Sequence, residues 1–173
     1  LREGIILYEL DDRPLSEPKR LLPADALRVA KEHFERQSQS AVRFRDLARV
    51  AVSSNWGNHA AFLLHQSVET DYSCVLLTLT NYSPPSHNLK FLRGLAEDKD
   101  IRLIDAWPRD QHRFVAWYNI LNEAYVKARY SKQFEITDEA LAWLIERAEH
   151  LHGLVEAICT ERLTALARTG EGT

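Results

Sequence analysis

Between Gly57 and Leu79 the positions Ala61, His65, Val68, Tyr72, Val75 and Leu79 follow one another at alternating steps of four and three. That spacing keeps one stripe of an α-helix turned toward a partner and predicts a central helix around which the rest of the chain is organised. The stripe is not wholly apolar. His65 and the Tyr72 hydroxyl enter it, and Gln66 and Glu69 lie on the adjoining row. Buried polar groups need partners, and at core spacing they are more often satisfied structure than ligand contacts. Here several of them gather within two turns, which makes this stretch the first candidate for a site.

The same pattern organises the flanks. The β-branched and aromatic run EGIILYEL, residues 3–10, predicts one short strand, ended by Asp11-Asp12-Arg13-Pro14. Residues 14–22 are expected as linker. Pro23 suits a first helical position and Asp25 a first turn, and Leu27, Ala30 and Phe34 mark one face. Gln37-Ser38-Gln39-Ser40 is expected to interrupt or kink this helix before Phe44, Leu47, Ala48 and Ala51 resume the stripe, giving one broken helix or two short ones.

After the central helix, Asn81 to Ser86 with its two prolines is a firm loop. Ser86 is expected as the next N-cap with His87 in the first turn, Leu89, Leu92 and Leu95 as the apolar face, and the helix start as an anion site. Ile101, Leu103 and Ile104 are expected to cover the core. Gln111 to Arg129 reads as a further helix with the core stripe Phe114, Trp117, Leu121, Ala124, Ala128 and a second, polar row Tyr118, Asn122, Tyr125, Arg129. Thr137 fits the N-cap of a last long helix, whose Leu141, Leu144, Ala148, Leu151, Val155 and Ile158 keep heptad spacing. The fold class that follows is all-α: an antiparallel four- to six-helix up-and-down bundle with a short N-terminal extended segment. Residues 1–22 are assigned to that segment and linker, as the end of an upstream domain, residues 23–168 to the bundle, and residues 169–173 to a disordered tail.

Composition changes this picture little. A chain of 173 residues suffices for one domain with its own core, and the net charge of −3 gives no whole-chain footprint for nucleic acid or membrane. No run of eighteen apolar residues and no basic-then-apolar leader occurs, so no membrane contact is expected. Cys74 and Cys159 lie inside helical patterns without metal-ligand spacing and read as reduced core residues of a cytoplasmic protein. The chain opens on Leu1 and contains no methionine, from which it is expected to be part of a longer protein.

The common catalytic signatures are absent: there is no H-E-x-x-H, G-x-S-x-G, P-loop or G-x-G-x-x-G. No metal and no cofactor is assigned. His150 and His152 stand about 200° apart around one helix, cannot chelate one ion together, and are expected on the surface. Phe114, Trp117, Tyr118 and Trp143 give more aromatic surface than a bundle of this size needs, which points to a homodimer.

Three stretches carry a resemblance. FLLHQSVETDYSCVLLTLTNYSPPSHNL, residues 62–89, is similar to the central helix and following loop of the HEPN family, with its H-Q-x-x-E core and S-H-x-L start. LNEAYVKARYSKQFEIT, residues 121–137, resembles the A-Y-x-x-A-R-Y segment of the same family. The head LREGIILYE is similar to the junction behind a minimal nucleotidyltransferase domain. The resemblance implies a homodimeric helical bundle, with a minimal nucleotidyltransferase fused upstream or as partner, that binds nucleotide or RNA phosphate through Arg129, Tyr130, His87, His65, Glu69 and Tyr72.

Many members of that family are metal-independent ribonucleases of toxin–antitoxin systems, using an R-x(4–6)-H motif. Arg129 takes the place of the arginine, but Tyr130 through Asp138 contain no histidine. Arg28 to His33 and Arg147 to His152 match by spacing alone, outside the family's local context. No catalytic residue is therefore assigned. Three readings stay open: a nucleotide-binding accessory domain, an RNase toxin, and a bundle that only dimerises. Arg129 as an ion-pair partner of Glu69 is the structural alternative to Arg129 as a phosphate ligand.

Overall fold

The computed structural model describes residues 21–170. The strand expected at 3–10 and most of its linker lie outside the described residues. Five α-helices and one 3-10 helix follow in order: α1 Pro23–Ser53, α2 Gly57–Thr80, α3 Leu89–Glu97, the 3-10 helix Ile101–Ala106, α4 His112–Tyr130 and α5 Asp138–Gly170. The described chain is an all-α bundle. Helix α5 runs through Thr169 and Gly170, two residues past the boundary expected for the tail.

Helix α1 is continuous, without the break expected at Gln37 to Ser40. Gln and Ser cost less than about 0.7 kcal/mol each against Ala in a helix interior, and packing on both sides outweighs that. The buried residues of α1, which packs on α2 and α5, are nearly all alanine, Ala30, Ala41, Ala48 and Ala51, with Arg45 among them. Small side chains let helix axes approach closely. Ser67 on α2 donates its hydroxyl to the Ala41 carbonyl at 2.9 Å, directly after the supposed break. Leu47, expected on this stripe, is 54% exposed. Asn55 ends the hairpin at a φ of 60°, a left-handed conformation that Asn tolerates better than most residues.

Helix α2 is the centre. It packs against α1, α5, α4 and α3. Ala61, His65, Val68, Tyr72 and Val75 of the expected stripe are buried, but so are Leu64, Cys74 and Leu76, because a helix with four neighbours has almost no solvent face. It stops at Asn81, again left-handed. On α5, Leu141, Leu144, Ala148, Leu151, Val155 and Ile158 are all buried as the heptad spacing requires, and Thr137 caps the helix by accepting from the Ala140 amide at 3.2 Å.

Two other expectations shift. The N-cap of α3 is Asn88, not Ser86: Asn88 Oδ1 accepts from the Phe91 amide, while Ser86 Oγ accepts from Asn88 N. His87 therefore precedes the helix. The amide of Lys90 is also taken, by Asn122 Oδ1 at 3.3 Å, so protein groups already use the helix start expected as an anion site. In the 3-10 helix only Leu103 and Ala106 are buried, and Ile101 and Ile104 face outward. The aromatic residues of α4 and α5 pack on one another: Phe114 stacks on Trp143 with ring centres 4.7 Å apart, and Trp117 and Trp107 close on the same indole.

Candidate functional site

His65 and Glu69 sit one turn apart on α2, the i, i+4 spacing that places side chains on one face. His65 is fully buried, and its Nδ1 lies 2.9 Å from the Leu121 carbonyl on α4. A carbonyl can only accept, so Nδ1 carries a proton and donates it. The ring's Nε2 then faces Glu69 Oε2 at 3.3 Å without hydrogen-bond alignment. The same carboxylate oxygen accepts from His87 Nδ1 at 2.9 Å and from Gln66 Nε2 at 3.4 Å. Burial alone would lift the Glu69 carboxyl, but the imidazoles beside it, with His87 donating the aligned hydrogen bond, hold it below its ordinary value. Glu69 is an ionised, two-histidine anchor at the edge of the core.

His87 continues this group outward. Its side chain is 51% exposed, and its ring stacks on Tyr125 of α4 with centres 3.8 Å apart and planes 14° from parallel. Arg129, one turn further along α4, lays its guanidinium over the same Tyr125 ring at 4.5 Å, and over Phe62 at 4.9 Å and Tyr130 at 5.0 Å. Its Nε donates to the Tyr125 carbonyl at 2.8 Å. Among the described residues its terminal nitrogens make no hydrogen bond or ion pair, which leaves the fork open to solvent. The ion pair with Glu69 is not formed: His87 and Gln66 hydrogen-bond Glu69 Oε2, and the guanidinium is held over aromatic rings.

Five of the six residues proposed from the sequence thus share one face: His65, Glu69, His87, Arg129 and the 75%-exposed Tyr130. Tyr72 does not. It is buried on the same stripe as His65 but two turns further along α2, where its hydroxyl accepts from Trp107 Nε1 at 2.8 Å and burial pushes its phenol well up. The polar row of α4 divides in the same way. Tyr118 turns into the core, its phenol pushed up to about 12 by burial, while Asn122, Tyr125 and Arg129 face α2 and α3. Two shallow concavities, one along α5 by Arg147 and His150 and one by Asn55 and Phe134, lie away from this face.

The sequence profile described as HEPN domain matches residues 34–158, most of the chain. The chain belongs to the HEPN domain family. A search of curated proteins returns no match. In this HEPN domain neither chance arginine–histidine spacing forms a pair. Arg28 meets Glu32 and Asp25 at the surface while His33 faces Asn81. Arg147 is tied to the Ala106 and Asp105 carbonyls at 2.6 Å each.

His152 is not the surface residue expected. It is 5% exposed, and its Nδ1 lies 2.8 Å from Asp71 Oδ1 on α2. Helix α5 packs against both α1 and α2, so its buried face is wider than the heptad seam and takes in a residue next to Leu151. Arg45, buried and near enough to act electrostatically on both, completes a buried ionisable trio, its Nε and Nη1 without hydrogen-bond partners among the described residues. Sequence reasoning missed this trio and the role of Tyr125 as the ring joining His87 to Arg129. The one available signal for Tyr125 was its place in the polar row of α4.

Among the described residues no three His, Cys, Asp or Glu side chains are placed to hold a metal ion, and no helix is long and apolar enough to cross a membrane.

Proposed function

We propose that the face formed by α2, α4 and the loop before α3 binds the phosphate of a nucleotide or RNA. One observation carries the reading: Arg129 and His87 both rest on the Tyr125 ring, with the guanidinium fork unpaired and the imidazole backed by an ionised carboxylate. A planar fork binds phosphate oxygens two at a time. Exposed Tyr130 beside it offers a surface on which a base can stack. In this reading the domain acts as a homodimer, accessory to a minimal nucleotidyltransferase. The half-buried Phe114, Trp117 and Trp143 are the surface we assign to the second copy, and light scattering that finds only monomer at tens of micromolar overturns that part. A thermal-shift screen against nucleoside mono- and triphosphates and a short single-stranded RNA, followed by calorimetric titration of the hits, tests the binding itself. Arg129→Ala is expected to lose the heat of binding with little change in melting temperature; equal affinity in the variant overturns the assignment.

A second reading, metal-independent RNA cleavage, is favoured by the nearness of His87 to Arg129, since a histidine from the loop could take the place of the one missing after Tyr130. There His87 would move a proton while Arg129 held the phosphate. RNA cleavage in the presence of a chelator, abolished by His87→Ala, supports it. Intact RNA with the wild-type domain refutes it.

A further inference from the structure

Within the phosphate-binding reading, on which it rests, we propose that Glu69 is a positioning residue that selects which His87 nitrogen meets the ligand. Among the described residues the exposed imidazole is held at only one of its two nitrogens. Its Nδ1 lies 2.9 Å from Glu69 Oε2, an ionised carboxylate that can only accept, so Nδ1 carries a proton and points inward. Nε2, across the ring, is left for whatever binds the face. The ring cannot tilt freely about this bond, because it lies flat on Tyr125 at 3.8 Å.

The carboxylate is itself fixed from behind. His65 is locked by its bond to the Leu121 carbonyl and packs behind the carboxylate, its Nε2 3.3 Å from the same Glu69 oxygen without hydrogen-bond alignment. Gln66 approaches that oxygen from the same helix. A line of hydrogen-bonded side chains, Gln66 to Glu69 to His87, with the buried His65 packed behind it, thus runs from the core edge to a solvent-facing nitrogen. Such a line is the usual means of fixing a histidine tautomer.

The consequence for binding is specific. A phosphate oxygen at His87 Nε2 is an acceptor, so it is held only when Nε2 also bears a proton, and the resulting imidazolium is offset by Glu69. The titratable and charged groups facing His87 are Glu69 and His65 of α2 and, across Tyr125, Arg129 of α4. The phosphate therefore meets two cations, one a fork and one a single N–H, while the carboxylate stays on the far side of the ring. Glu69 contributes to affinity without touching the ligand.

Ring-nitrogen NMR of histidine-labelled protein, with adenosine 5′-monophosphate and a short single-stranded RNA as probes, tests this. The free wild-type domain should show His87 protonated at Nδ1, and the complex should show both nitrogens protonated. Glu69→Gln should lose the fixed tautomer and bind the probes about tenfold more weakly, with an unchanged fold by circular dichroism, and Glu69→Asp should recover part of both. If Nε2 is the protonated nitrogen in the free domain, or if Glu69→Gln binds as tightly as wild type, the positioning role is overturned while phosphate binding stands. If wild type binds neither probe, the phosphate reading fails and this inference falls with it.

Discussion

Glu69 and Asp71 stand two positions apart on α2 and so face nearly opposite ways. Each is a carboxylate bonded to a histidine, yet the two pairs have different surroundings. Glu69 lies at the rim, 19% exposed, and its partner His87 is half in solvent. Asp71 is fully buried, its partner His152 nearly so, and the buried Arg45 adds a cation nearby. Burial lifts the Asp71 carboxyl despite His152 and Arg45 beside it, while the two imidazoles beside Glu69 outweigh burial and lower its carboxyl. The same chemical pair is thus a structural tie where water is excluded and a primed surface where water reaches it. Solvent access, more than residue type, separates the two roles.

The largest effect expected from this contrast is on stability. Asp71→Ala strands Arg45 and His152 in the core and should cost about 3–5 kcal/mol in denaturant unfolding. Glu69→Gln keeps part of its hydrogen bonding and should cost about 1 kcal/mol. A reversed order would break the comparison.

Affinity should move the other way. Arg129→Ala, and more mildly Arg129→Lys, should weaken nucleotide or RNA binding by about tenfold or more, since a point charge cannot replace the fork. Asp71→Asn should leave the affinity of the folded fraction unchanged, as calorimetric titration of both variants would reveal.

The pH dependence carries opposite signs in the two places. Burial alone would lower His152, but its bond to Asp71 raises it above its ordinary value. Its contribution is therefore full below about 6.5 and is lost as pH rises through the folded value. Glu69 is lowered, so its contribution is full above about 4.3 and is lost as pH falls through the folded value. Urea unfolding followed across pH should show His152→Gln flattening the alkaline arm and Glu69→Gln the acid arm. The smallest expected effect is that of Arg129→Ala on stability, within about 0.5 kcal/mol, as for an exposed side chain.

Helix α2 and the buried stripe of α5 were legible because their apolar positions recur at helical spacing over many turns. His65 with Glu69, and Arg129 with Tyr130, were legible as neighbours on helices and by the H-Q-x-x-E and A-R-Y segments. What escaped was decided by contacts between distant parts of the chain. The seat of His87 on Tyr125 depends on α3 starting at Leu89, a choice made by the Asn88 side chain over an equally plausible Ser86. The Asp71–His152 pair joins helices far apart in sequence, and periodicity leaves His152 off the heptad seam. The polar run in α1 misled because Gln and Ser are only mild helix weakeners, and the packing of the buried alanines of α1 overrides them. Tyr72 has the spacing of a site residue, but Trp107 rather than a ligand completes its hydrogen bond.

The central claim is that phosphate binds the rim group and not the buried one. Backbone and arginine side-chain NMR of the labelled domain, titrated with a nucleoside monophosphate and a short single-stranded RNA, reads both at once. Shifts are expected to concentrate at Phe62, Glu69, His87, Tyr125 and the Arg129 guanidinium, with Arg45, Asp71 and His152 unmoved. Shifts centred on Arg45 and His152, or no change at Arg129 with a ligand that binds, would contradict it.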